Sequence, residues 1–133
     1  MSDKSQNGLR PLRSEEDSLI RVLLGHAKGG EQLLQELERA LVRDMDDGGM
    51  GSLEFAGDEQ RALGRCLVEA EYVDCDGVVV SIVLNADSSG GLYELDMWKV
   101  DFVPLREYPA AERVAIKPRA FRRSALGRKR TLR

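Results

Sequence analysis

The chain has 133 residues, 42% apolar, 32% charged and only 5% aromatic, with a formal net charge of −3. That is room for one domain with a single core, and no apolar run approaches the about 18 residues a membrane-spanning helix needs. Cys66 and Cys75 fit neither a zinc spacing nor a disulfide framework, and MSDKSQNGLRP lacks an apolar signal core, so a cytoplasmic, reducing setting is expected.

Residues 1–8 read as a disordered N-terminus. "GLRPL" leads into a first helix with Ser14 as N-cap, where Glu15, Glu16 and Asp17 suit the positive end of the helix dipole. Leu19, Ile20, Leu23 and Leu24 form its apolar stripe, and Gly25 stops it. His26, the only histidine, falls in the connection "HAKGG", with no nucleophile placed beside it by any motif. A second helix is predicted from about Glu31 to Leu41, with Leu33, Leu34, Leu37 and Leu41 on one face.

The hydrophobic period then changes. "VRDMDDGGMGSLEF" reads as a strand, a glycine-rich turn and a short second strand, a hairpin over Val42–Phe55. The turn lacks the Lys-Ser/Thr ending of a P-loop, opens no helix, and carries Asp46 and Asp47, which would repel phosphate. It is therefore structural. "RCLVEAEYV" and "VVVSIVLNA" are the next strands, joined by "DCDGV". A three-residue loop, Cys75-Asp76-Gly77, with Gly77 left-handed, opposes Asp74 to Val78, Tyr72 to Val80, Ala70 to Ile82 and Val68 to Leu84. Only that register collects the apolar residues on one face and leaves Glu69 and Glu71 on the other. Neither Gly77 nor Gly49, placed at the sixth position of a calcium loop, leaves ligands at the required spacing, so no metal or cofactor is implied.

After "DSSGG" comes "LYELDMWKVDF", whose alternation slips. Tyr93, Leu95 and Met97 are apolar in one phase; Trp98, Val100 and Phe102 are apolar in the other. A β-bulge near Met97–Trp98, or cover from the following segment, would return Trp98 to the core side and is the favoured reading. The alternative is a regular strand whose Trp98 projects from the charged face as a binding anchor. Pro104 and Pro109 close the domain. The fold class is α+β: two N-terminal helices on an antiparallel meander of about four to five strands, forming one domain over residues 9–110. Residues 111–133 read as a basic flexible tail. From Glu112 onward there are nine bases and one acid, against eleven bases and twenty-two acids in the rest of the chain.

"LRPLRSEED", "DDGGMGSLEF", "AEYVDCDGVVVSIVLNAD" and "LYELDMWKVDFVPL" together resemble a family of short bacterial proteins classed only as a domain of unknown function, over roughly residues 9–105. "DGGMGSL" and "ELDMWKVDFVPL" are the most specific strings. The resemblance brings no catalytic residues. Small acidic α+β proteins of this type are similar to immunity partners of bacterial toxins, which implies a binding role.

The residues lead to the same expectation. Glu69, Glu71, Glu94 and Asp96, with Trp98 and Lys99 nearby, should form an exposed acidic sheet face able to dock a basic protein partner. A carboxylate row without a cleft, nucleophile or metal spacing points away from an enzyme. The alternative is a nucleic-acid-associated protein, in which Arg119, Arg122, Arg123, Arg128, Lys129 and Arg130 grip the phosphate backbone without reading sequence. Neither reading involves a membrane.

Overall fold

In the computed structural model, which describes residues 8–118, the first-turn acids of the N-terminal helix do more than favour its dipole. Helix α1 spans Ser14–Leu24, and its N-cap is Arg13 rather than the expected Ser14. The shift of one residue makes Glu16 the third helical position, where its carboxylate accepts the Arg13 N–H at 2.8 Å. The two terminal nitrogens of Arg10 donate to the same carboxylate, each at 2.8 Å. Burial pushes the Glu16 carboxyl up, but the Arg10 guanidinium and the Arg13 amide outweigh it and hold it below its ordinary value.

Helix α2 spans Gly30–Glu38. It can start this soon after α1 because Gly30 has no side chain: a Cβ there would lie 2.0 Å from the Leu24 carbonyl oxygen. Leu41, expected on the face of α2, instead opens a strand and is 43% exposed. Its backbone pairs with Pro11 on one side and accepts the Ala56 N–H on the other, and that pairing overrides the helical leucine stripe.

The strands are β1 (Arg10–Pro11), β2 (Leu41–Asp44), β3 (Leu53–Phe55), β4 (Leu63–Val73), β5 (Val79–Asp87), β6 (Leu92–Lys99) and β7 (Ala115–Ile116). They form one antiparallel sheet in the order β1-β2-β3-β6-β5-β4-β7. Seven strands replace the four to five expected from sequence. The two additions, β1 and β7, are two residues long, too short to show any period. β7 also lies within the segment read as a flexible tail: after a 3-10 turn at Ala111–Arg113 the chain joins the edge of β4, pairing Ala70 with Ile116.

The β4–β5 hairpin has the predicted register, with Tyr72 opposite Val80, Ala70 opposite Ile82 and Val68 opposite Leu84. Gly77 has φ +83°, and its N–H is bonded to the Asp74 carbonyl at 2.8 Å. The predicted bulge in β6 sits elsewhere. Asn85 pairs with Glu94 while Ala86 pairs with Leu92, so the extra residue is Tyr93, not Met97 or Trp98. Leu92 is thereby turned into the core, and Arg61 stacks over the displaced Tyr93 ring at 4.9 Å.

From Glu94 to Lys99 the strand is regular, and Trp98 lies opposite Ser81 on the face away from the helices. The slip in the sequence marks the end of β6, where Lys99 is the last residue and Val100 and Phe102 lie exposed in the turn that follows. Leu19, Ile20, Leu23 and Leu37 from the helices pack against Val68, Ile82, Leu84 and Leu95 from the sheet, forming the core on one face only. The connecting segment stays on that side, because Leu105, Tyr108 and Val114 pack against the same cluster.

Candidate functional site

Strand alternation sends every second side chain of β4, β5 and β6 to the face turned away from the helices, and the register lines them up in rows. Glu54, Glu94, Asn85 and Cys66 form the first row, Asp96, Val83 and Glu69 the second, and Trp98, Ser81 and Glu71 the third. Arg43 flanks the first row, 3.2 Å from Glu54, and Lys117 flanks the last, 3.2 Å from Glu71. Five carboxylates thus share one face of the sheet.

The sequence placed Glu69, Glu71, Glu94 and Asp96 together on this face, with Trp98 in the alternative strand reading. It did not anticipate their shelter. Glu71 is exposed, as expected, but Glu69, Glu94 and Asp96 are only 2%, 5% and 7% exposed. The exposed acidic fence is therefore corrected to a recessed acidic strip. The flanking strands contribute to this: the unpredicted β7 beyond β4, and β3 of the predicted hairpin beyond β6, make both acid-bearing strands interior ones.

Asn85, which no sequence pattern singles out, is central to the strip and 1% exposed. Its Nδ2 donates to Glu94 Oε2 at 2.8 Å, fixing the orientation of the amide. Its Oδ1 is buried and has no donor among the described residues. A carboxylate oxygen beside an open amide carbonyl suits a donor with several N–H groups, such as guanidinium or ammonium. Trp98 is half-buried at the end of the strip, its ring 6.2 Å from that of Phe102.

Lys99, expected beside Trp98 at the binding face, is on the opposite face and fully buried. It has the phase of Leu95 and Met97, and its stem packs at the core margin while its ammonium meets Asp74 at 2.9 Å and Asp76 at 2.6 Å. Asp74 also accepts the backbone N–H groups of Cys75, Arg106 and Glu107 at 2.7, 2.8 and 3.1 Å. Burial pushes the Asp74 carboxyl up, but the Arg106 amide, the Lys99 ammonium and the Cys75 amide prevail and lower it to about 2. This knot ties the β4–β5 turn to the chain after β6. It is a structural fastening, and Lys99 leaves the set of binding residues.

The glycine-rich turn between β2 and β3 spends its amides internally, with Asp47 accepting the Met50 and Ser52 N–H groups at 3.0 Å each. A shallow groove of about 510 Å³ beside α2 is lined by Gln32, Gln35, Glu36, Arg39, Leu41 and Phe55 among others, and brings no nucleophile to a base. His26 is exposed between the helices, Cys66 is half-buried, and Cys75 is exposed at its turn. No helix among the described residues is long and apolar enough to cross a membrane. Arg119, Arg122, Arg123, Arg128, Lys129 and Arg130 lie outside the described residues.

The family model described as a domain of unknown function, DUF6984, matches residues 9–109, and the chain belongs to that family. The match spans both helices and strands β1 to β6, and stops short of β7. No curated protein and no solved structure matches the chain.

Proposed function

We propose that this member of the DUF6984 family is a non-enzymatic binding domain whose outer sheet face receives a cationic polypeptide. The observation that carries the reading is the recessed strip itself. Glu69, Glu94 and Asp96 are set among Val83, Asn85 and Ser81, so negative charge is gathered in a sheltered strip on one face of the sheet. A surface acid row would bind any cation weakly. A sheltered one with an open amide carbonyl favours a peptide whose arginine or lysine side chains reach down between strands. A basic toxin bound in the cytoplasm, as an immunity protein would bind it, is one partner of this chemistry.

The test is titration of the full chain with a nona-arginine peptide, followed by emission of the single tryptophan, Trp98, at the end of the strip. Binding should weaken at least about tenfold in the double variant Glu69→Gln/Asp96→Asn, a loss of about 1.4 kcal/mol. Equal affinity in the variant, or no response of the native chain at millimolar peptide, would overturn the reading.

A further inference from the structure

The chain carries a cationic segment of its own at the place where this face begins. β7 runs along the edge of β4, and the Lys117 N–H donates to the Glu69 carbonyl at 2.9 Å, so the last described residues lie beside the acid row. The fifteen residues that follow, 119–133, contain seven arginines and lysines and no acid. Resting on the reading above, we propose that residues 119–133 are the resident occupant of the outer face, an internal ligand that an external cationic partner must displace.

Three observations converge on this occupant. The first is charge: five carboxylates face outward from β3, β4 and β6, and seven bases follow at once in sequence. The second is reach. Crossing from β4 to β3 spans three strand spacings, about 14 Å, and fifteen extended residues reach about 50 Å. The third is the Asn85 amide. Its Oδ1 is buried on this face without a donor among the described residues, which makes it a preformed acceptor for an arginine or lysine N–H directed at Glu94.

Tethering makes such a contact effective even where its intrinsic affinity is weak. A short flexible linker holds a segment at a local concentration of about 1 mM. A tail that would bind in trans with a Kd of about 0.1 mM therefore reduces the apparent affinity of a competitor about tenfold.

The experiment compares the native full chain with the full-length variant Arg122→Glu/Arg123→Glu/Arg128→Glu/Lys129→Glu/Arg130→Glu, titrating each with a synthetic peptide of residues 119–133 and following Trp98 emission. The expected result is about tenfold tighter peptide binding by the variant, abolished when Glu69→Gln/Asp96→Asn is added. Equal affinity of the two chains would overturn the internal ligand while leaving the outer face as a cation site, provided the face substitutions still weaken binding. Failure of the face substitutions to matter would overturn both proposals. Salt-sensitive DNA binding by the native chain, lost in the tail variant and unaffected by the face substitutions, would assign the tail to nucleic acid and also overturn the inference.

Discussion

Replacing Asp74 by Asn changes one atom type at the centre of the fastening that closes the domain. The carboxylate accepts from the Lys99 ammonium and from the backbone N–H groups of Cys75, Arg106 and Glu107. An amide keeps one acceptor oxygen and turns an NH₂ toward donors, so at least one N–H and part of the Lys99 charge lose their partner. Removing one member of a buried pair costs about 3–5 kcal/mol, a large share of the 5–15 kcal/mol that stabilises a domain of this size.

The same site sets a pH signature. The folded carboxyl sits at about 2 against an ordinary 3.8, and at about 1.4 kcal/mol per pH unit this contributes about 2 kcal/mol. Because the folded value is the lower one, that contribution is complete above the ordinary value and is lost as pH falls from about 4 toward 2. Urea unfolding of the native chain and the Asp74→Asn variant, at a series of pH values, should therefore show a gap of about 3 kcal/mol or more near neutrality. The gap should narrow by about 2 kcal/mol by pH 2. A variant within about 0.5 kcal/mol of the native chain, the range of an ordinary surface substitution, would refute the reasoning. So would a gap that does not change with pH.

Glu16→Gln should cost about 2 kcal/mol, because the buried carboxylate accepts both Arg10 donors and the Arg13 N–H; faster amide exchange in the first turn of α1 would localise the loss. Gly77→Ala meets no atom within 4 Å, so it should lose only the about 1–2 kcal/mol of a left-handed alanine, read as a lowered Tm. Leu95→Ala removes a fully buried side chain from the middle of the core and should cost about 2–5 kcal/mol by urea unfolding.

The helices and the β4–β5 hairpin were legible because their information is local. Four leucine-type residues at helical spacing, or an alternation that admits one turn length, need only neighbouring residues to be read. β1 and β7 were not legible, since a two-residue strand exists only by virtue of the edge it joins. The same holds for Lys99: in sequence it is a charge following a tryptophan, and only the approach of Asp74 and Asp76 across the β4–β5 turn makes burial of its ammonium tolerable.

By itself, then, the chain order determined the helix-then-strand layering, the hairpin register and the gathering of Glu69, Glu71, Glu94 and Asp96 on one side of the sheet, because alternation and turn chemistry act over a few residues. The tertiary structure decided that three of these acids are recessed, that Asn85 lies among them, and that the tail begins as a strand beside Glu69. Exposure depends on which strands flank β4 and β6. Those flanking strands lie dozens of residues away in sequence, beyond the range of any local pattern.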